Sequence, residues 1–394
     1  MNKRSVRDLD VRGKRVLVRV DFNVPVEDGE VTDDTRIRRT LPTIRHLLSE
    51  GAYPILISHL DRPGGRRDPE NAMDPVAERL EELLEAPVLK LDDAIGEEVK
   101  EALDNWKVEG GVVLLENSRF YPGETDNDPG FAEQLASLAD LYVDDAFGAA
   151  HRAHATTVGV AEHLPGAVGF LLEEELDNLD EVLQDPEHPF VAIIGGAKVS
   201  DKVGVIESLL NTADTLLVGG AMCFTFFKAQ GYEVGNSLVE EEYLEEAKRL
   251  IDEAGERLVL PLDVVVAEEI KEDAPSQTVK AEEIPAEMMG LDIGPETVEK
   301  FREHIKIARI IFWNGPMGIF EMDAFAAGTE GVARAVAESE ANSIVGGGDS
   351  VAAVAGLGLE EEMGFISTGG GASLEYVEGK ELPGVAVLPD EGEE

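Results

Sequence analysis

Short runs rich in Val, Ile and Leu recur between longer stretches of helical spacing, and this alternation restricts the chain to parallel sheets covered by helices. The strand candidates of the first half are Val16 to Val20, Tyr53 to Ser58, Gly111 to Leu115 and Leu141 to Val143. Those of the second half are Phe190 to Ile194, Thr215 to Val218, Leu258 to Pro261, Arg309 to Trp313, Ser343 to Val345 and Gly364 to Ser367. Helical spacing marks Val76 to Leu84, Phe131 to Ala139, Val199 to Asn211, Glu240 to Ala254 and Ala324 to Glu338. At 394 residues the chain exceeds one ordinary core, so two domains are expected. The seam falls at a helical segment, Phe170 to Leu183, followed by Gln184-Asp185-Pro186-Glu187-His188-Pro189, which cannot continue a helix. The expected fold is therefore α/β: two doubly wound, Rossmann-like parallel-sheet domains joined by a hinge helix, with residues 1–169 in the first, 170–184 in the hinge and 185–381 in the second.

Charge then narrows the partners. The chain carries 81 acidic against 34 basic residues, a net charge of -47. That balance argues against nucleic acid and against an anionic membrane surface, both of which need a basic field. A disordered acidic chain is disfavoured by the 43% of hydrophobic residues. The acidic residues are spread along the whole length, and Arg outnumbers Lys, so the surface is expected to be a carboxylate coat suited to molar salt, where screening acts over about 3 Å. A single cysteine, Cys223, excludes an internal disulfide and a multi-cysteine zinc site, and its apolar surroundings predict a buried, inert thiol. No apolar run long enough for a signal peptide or a membrane span is present, so a cytoplasmic location is expected.

In open parallel sheets, ligands bind beyond the carboxyl ends of the strands. In the first half those positions hold Asp21 and Asn23, then His59 and Arg62, then Glu116, Asn117 and Arg119, then Asp144, Asp145 and the His151-Arg152-Ala153-His154 run. Fifteen of the 20 arginines precede residue 185. Arginines gathered at strand ends in so acidic a chain predict a site for a small, multiply anionic ligand, because the guanidinium fork matches phosphate and carboxylate. His151 and His154 have metal-like spacing, but without further ligands nearby a structural or substrate-site role is favoured over zinc.

In the second half the strands end in glycine: Gly195-Gly196, Gly219-Gly220, Gly315 with Gly318, Gly346-Gly347-Gly348 and Gly369-Gly370-Gly371. Glycine lets backbone amides approach a phosphate, and a following helix adds a favourable dipole. Five such ends predict a nucleotide site, although neither the P-loop nor the dinucleotide fingerprint occurs. Cations enter through Gly195-Gly196-Ala197-Lys198-Val199-Ser200-Asp201-Lys202, whose lysines are expected on one face of a helix opening there. An anion site in one domain, a nucleotide site in the other and a hinge between them describe a phosphoryl-transfer enzyme that closes on its substrates.

The chain resembles the phosphoglycerate kinase family over nearly its whole length. The matching stretches are RVDFNVP at 19–25, SHLDRP at 58–63, ENSRF at 116–120, DAFGAAHRAH at 145–154, GGAKVSDK at 195–202, WNGPMG at 313–318, GGGDS at 346–350 and STGGGAS at 367–373. The resemblance implies reversible transfer between the acyl phosphate of 1,3-bisphosphoglycerate and ADP, giving 3-phosphoglycerate and ATP with Mg2+, in a monomer. It implies that the first domain binds phosphoglycerate, with a tail at 382–394 returning to it, and that the second binds nucleotide.

Carried over by residue, the resemblance assigns Asp21 and Asn23 to the glycerate hydroxyl and carboxyl region. His59, Arg62, Arg119 and Arg152 would hold the non-transferred phosphate, and Arg36 would face the transferred group. Lys198 would follow the moving phosphoryl group. Lys202, Gly196, Asn314, Gly347, Gly348 and Ser350 would surround the nucleotide phosphates, Glu321 the ribose, and Asp349 the metal. Asp61 stands where the family has Gly, which places a negative charge beside His59 and Arg62 and is expected to weaken phosphate binding at low salt. Ala149 and Ser350 each replace a Thr. Three rivals stand beside this reading: a non-catalytic sensor with the same fold, an acidic interaction protein, and a different carboxylate kinase using the same clamp.

Overall fold

The structure, a computed structural model, describes residues 2–106, 110–184 and 186–392. Met1, Asp185 at the expected domain start, and Glu393 and Glu394 of the expected tail lie outside the described residues. The chain divides into two compact units, Met1–Asp177 with Glu381–Glu394, and Asn178–Lys380.

The first unit is built on a six-stranded parallel sheet in the spatial order Val88–Lys90, Val112–Leu114, Tyr53–Ile57, Arg15–Val20, Leu141–Asp145, Gly166–Val168. Its middle strands are buried on both faces, which is why they read as continuous apolar runs. Arg19 breaks that run. It lies in the central strand, opposite Asp144 in the register with the next strand. The helix Thr35–Ser49 covers one face through Ile37, Leu41, Ile44 and Leu47, at the three-to-four spacing of a helix packed on a sheet. Interior Pro42 obscures this helix in the sequence.

Residues 381–392 join this unit through backbone bonds: Arg4 N donates to Pro389 O at 3.0 Å, Glu391 N to Asn2 O at 2.9 Å and Gly384 N to Ala150 O at 2.9 Å. Lys3 Nζ adds a bond to Leu388 O at 2.8 Å.

The second unit holds a second six-stranded parallel sheet, ordered Leu258–Val259, Thr215–Val218, Phe190–Ile194, Ile310–Asn314, Asn342–Gly346, Phe365–Ile366. Counted within the unit this is 3-2-1-4-5-6, and the chain reverses direction between the first and fourth strands. A smaller antiparallel sheet, Ser276–Lys280, Asp263–Ala267 and Met289–Ile293, extends the unit and has no counterpart in the sequence expectation. Ser276–Lys280 is largely exposed and polar, so it lacks the apolar signal of a core strand. Asp263 anchors this sheet to the helix Pro295–Ile305: its carboxylate accepts Glu296 N at 3.1 Å, Thr297 N at 2.8 Å and Thr297 Oγ1 at 2.7 Å, capping a helix start from a neighbouring strand.

Two helical expectations need correction. The helix predicted from Val199 runs only from Val203 to Leu209. Residues 195–202 form a loop, because Gly196 has φ +106° and the Ser200 amide and hydroxyl are taken by Glu240, at 3.0 and 2.6 Å. Lys198 and Lys202 therefore do not share a helical face. Glu240, expected to open a helix, lies ahead of it; the α-helix spans Leu244–Ala254 after a single 3-10 turn. Cys223 is buried as expected; Trp313 is also buried, and Trp106 is partly exposed.

Asp292, in the small sheet, is buried and accepts Gly328 N at 2.6 Å and its neighbour Ile293 N at 2.8 Å. Burial nevertheless pushes its carboxyl up to about 7. A raised folded-state value means that the native protein holds the proton more tightly than the unfolded chain does. Its contribution to stability is fully present below about 4 and is lost as pH rises through about 7. Urea unfolding in constant high KCl is expected to give a stability that falls between pH 5 and 8, by on the order of 2 kcal/mol from this residue. Asp292→Asn should flatten that slope, and an identical slope in the two proteins would contradict the assignment.

Candidate active site

Because every strand of a parallel sheet ends on the same edge, the segments that follow the strands of the first unit are brought together. Asp21 and Asn23 follow the central strand, and Arg36 sits in the first turn of the next helix. Arg36 Nη1 donates to Asn23 O at 2.7 Å and lies 3.6 Å from Asp21 Oδ2. Asn23 Oδ1 accepts the Asp61 amide at 2.8 Å, and Asp61 O accepts Arg119 Nη1 at 2.7 Å. Asp61 has φ +52°, a left-handed conformation that favours glycine and that Asp tolerates better than most residues. That turn lets Asp61 present its amide to Asn23 and its carbonyl to Arg119.

Arg62, Arg119, Arg152 and His154 line a pocket of about 370 Å³. Burial, then the neighbouring Arg152 and Arg19, push Arg119 down to about 10. Burial and the same group of arginines hold His154 down to about 4. The arginines are assembled against their mutual repulsion, the arrangement expected where a bound anion supplies the missing charge. His59 is buried beside them, with Nδ1 3.9 Å from Asp21 Oδ1. His151 accepts a bond from Arg152 Nε at 3.0 Å, and no group of three potential metal ligands occurs among the described residues.

Asn117, named in the sequence only as a strand-end polar residue, holds this edge in place. It is fully buried; its Oδ1 accepts Leu60 N at 3.2 Å and Arg119 N at 3.0 Å, and its Nδ2 donates to Leu60 O at 2.7 Å and Asn71 O at 2.9 Å. One amide thus satisfies the loop carrying His59 and Arg62 as well as the turn carrying Arg119. Its pairing with residues about 57 positions away is invisible without the fold.

In the second unit, glycine ends five of the six parallel strands, all on one edge. At the reversal point two loops touch: a side chain on Gly315 would stand 2.3 Å from Gly195 O, so neither loop tolerates bulk there. Lys202 precedes the helix Val203–Leu209 and donates through Nζ to Asn314 Oδ1. Burial lowers the proton affinity of Lys202, and Asp201 and Asp349 act in the opposite sense. Lys198 is exposed on the 195–202 loop.

Asn314 is buried, and its Nδ2 has no hydrogen-bond partner among the described residues; a side chain at Gly347, where φ is +90°, would meet that nitrogen at 2.8 Å. A donor left open beside a glycine-lined helix start fits an incoming phosphate oxygen. Asp349 lies in the first turn of the helix Gly348–Gly356, and Ser350 Oγ accepts Gly315 N at 2.6 Å, so the hydroxyl at this position is in use. Glu321 is exposed on the loop that follows Gly318.

The family model for phosphoglycerate kinase matches residues 6–380. The chain belongs to the phosphoglycerate kinase family. A phosphoglycerate kinase of Rubrobacter xylanophilus is 73% identical over 393 residues, covering all of both chains, and one of Dictyoglomus turgidum is 58% identical over 98% of each. Among solved structures, phosphoglycerate kinase from Coxiella burnetii superposes with a TM-score of 0.88 at 41% identity, and that from Pyrococcus horikoshii with 0.84 at 32%, each covering 98% of both chains. As a member of the phosphoglycerate kinase family the chain is a kinase, a phosphotransferase of glycolysis.

Replacing Asn117 by Ala would leave buried Leu60 and Asn71 groups unpaired, and is expected to cost about 2 to 4 kcal/mol in urea unfolding. It should also weaken 3-phosphoglycerate binding by releasing both Arg119 and the 59–62 loop. Wild-type stability together with wild-type affinity would show that the amide does not hold this edge.

Proposed function

We propose that the first unit binds 3-phosphoglycerate or 1,3-bisphosphoglycerate and the second binds ADP or ATP. Transfer would then be in line, between the phosphoglycerate carboxylate and the nucleotide, as the units close. The observation that carries the first assignment is the pocket shared by Arg62, Arg119 and Arg152, where burial and then the neighbouring arginines make Arg119 hold its proton less tightly. A phosphate dianion relieves that repulsion and matches the guanidinium forks. In this reading His59 joins the arginines around the non-transferred phosphate, while Asp21 and Asn23 face the glycerate hydroxyl and carboxyl.

In the direction that consumes ATP, the substrate carboxylate oxygen forms the new bond to the γ-phosphorus as the bond to the β–γ bridging oxygen breaks and ADP departs. The carboxylate is ionised at neutral pH, so no general base is required. Charge spreads over the three equatorial oxygens of the moving group, and Arg36 from one unit and Lys198 from the other stabilise it. Lys202, Asn314 and the backbone at Gly196, Gly347 and Gly348 hold the nucleotide phosphates, with Ser350 bracing the Gly315 loop and Glu321 serving the ribose.

Mg2+ fits this donor set: the ion commonly uses one or two carboxylates plus substrate phosphates, and Asp349 supplies one carboxylate at a helix start. When bound with nucleotide it would neutralise phosphate charge there. The acidic coat supports a cytoplasm of high salt as the working environment, and a monomer is sufficient for this chemistry. No helix among the described residues is long and apolar enough to cross a membrane.

Arg36→Ala and Lys198→Ala are each expected to lower turnover at least about 10²-fold with an unchanged unfolding midpoint. Near-normal turnover in either purified variant would refute the clamp. In a KCl series with 3-phosphoglycerate and MgATP, the apparent KM for both substrates should rise at low salt, because a net charge of -47 repels polyanions when screening is weak. A salt-independent KM in folded protein would count against the salt reading, and absence of turnover at any salt would count against the reaction itself.

A further inference from the structure

Arg19 belongs to no assigned binding set, yet it is the one charged residue within its strand's buried run and is itself 1% exposed. All three guanidinium nitrogens are committed. Nε donates to Thr156 Oγ1 at 2.8 Å, Nη1 donates to Val20 O, and Nη2 lies 3.0 Å from His59 Nδ1. A guanidinium has donors and no acceptor, and it keeps its protons at any pH at which the protein is folded. His59 Nδ1 must therefore be the acceptor in this contact, so it carries no proton. The single remaining ring proton of a neutral imidazole then sits on Nε2.

The far side of the contact has the same polarity. Thr156 Oγ1, which accepts from Arg19, donates its own proton to Glu124 Oε1 at 2.6 Å, and Thr156 N donates to Glu124 Oε2 at 3.0 Å. Glu124 is fully buried and also accepts from Ser118 Oγ at 3.3 Å. A directed chain thus runs from the His59 ring through Arg19 and Thr156 to a buried carboxylate, and each donor in it has one possible sense. No hydrogen bond among the described residues engages His59 Nε2.

We propose that Arg19 is a positioning residue that fixes His59 as the neutral Nε2–H tautomer, so that the ring offers an uncharged donor to the anionic substrate. This rests on the reading of the neighbouring arginine pocket as the phosphoglycerate site. The groups facing the ring are Arg19 and Asp21 from the central strand and its exit, Arg36 from the following helix, and Arg119 and Arg152 from the two other strand ends. Asp21 Oδ1, at 3.9 Å from Nδ1, favours a proton on that nitrogen, whereas Arg19 occupies the same nitrogen at 3.0 Å. Burial and the four arginines act together against protonation, holding His59 well below the usual histidine range. A neutral donor adds no charge to the cluster and keeps its proton throughout the range in which an ordinary histidine, near 6.5, would titrate.

The test uses the full-length protein with 15N-labelled histidine; there are seven histidines, and His59→Gln identifies the resonances of His59. The wild type is expected to give a pyridine-like Nδ1 and a pyrrole-like Nε2 that do not change between pH 5.5 and 8. A proton on Nδ1, or on both nitrogens at pH 7, overturns the proposal, and this measurement needs no variant to fold. Arg19→Met and the milder Arg19→Lys provide the second readout. In whichever is folded by circular dichroism, His59 should exchange between tautomers and titrate, with KM for 3-phosphoglycerate raised about tenfold and kcat changed much less. A folded variant with the wild-type tautomer and KM overturns the positioning role. Saturating 3-phosphoglycerate should shift the Nε2 signal. If the tautomer is as proposed but this signal does not respond, the substrate reading of the pocket fails and the Arg19 contact stands.

Discussion

Everything functional in this molecule depends on the parallel pairing of its two six-stranded sheets. Parallel strands all leave a sheet by the same edge, so segments far apart in sequence are delivered side by side without any one of them having to find the others. In the first unit that edge gathers residues from positions 21 to 152, and in the second from 195 to 350. The interior of each sheet, buried on both faces, provides the rigidity that keeps these edges in register. Positioning by a core is more exact than positioning by loops alone, and here the loops are tied back by hydrogen bonds, as Asn117 and Ser200 illustrate.

The second organising tension is electrostatic. An acidic exterior surrounds a cluster of arginines whose proximity is unfavourable until an anion arrives. The fold bears that strain locally by giving one member, Arg19, a buried set of acceptors, and by leaving Arg62 exposed to water. Arg36 is half-buried beside Asp21, 3.6 Å from its carboxylate, which leaves this ion pair looser than a direct hydrogen bond. The opposite solution appears around Asn314, where a neutral amide is left with an open donor and glycine keeps the space in front of it clear. One unit concentrates charge at its strand ends, and the other leaves hydrogen-bonding capacity unfilled.

How much of this was legible in the sequence follows from the physics of each signal. Ten of the twelve parallel strands were legible as runs of consecutive apolar residues, and the glycine clusters because they punctuate strand ends, whereas Val88–Lys90 and Gly166–Val168, three residues each, were too short to signal. Strand Ser276–Lys280 escaped because an exposed strand in a small antiparallel sheet has no such demand. Residues 199–202 were read as the start of a helix because their local pattern is helical, while the contact that holds them in a loop, Glu240 on Ser200, lies 40 residues away. The candidate site residues were named through the family resemblance and the charge at strand ends. Asn117 and Arg19 in their holding roles were not, since a buried polar side chain is distinguished only by what surrounds it. Asp61 falls between these cases: its substitution for glycine was visible, but the left-handed turn that explains glycine at this place was not.

Residues 381–392 pair with residues 2–4 and with Ala150, so the first unit is assembled from chain on both sides of the second. On a ribosome this has a temporal meaning. The second unit's residues have all been synthesised before the first unit receives its last backbone partners, so the first-made unit must wait for residues 381–392. The order of synthesis and the order of completion are thereby inverted. The same adjacency brings residues 2 and 391 within a single hydrogen bond of each other, so that a chain joined at that point and opened elsewhere would trace the same two units in a different order.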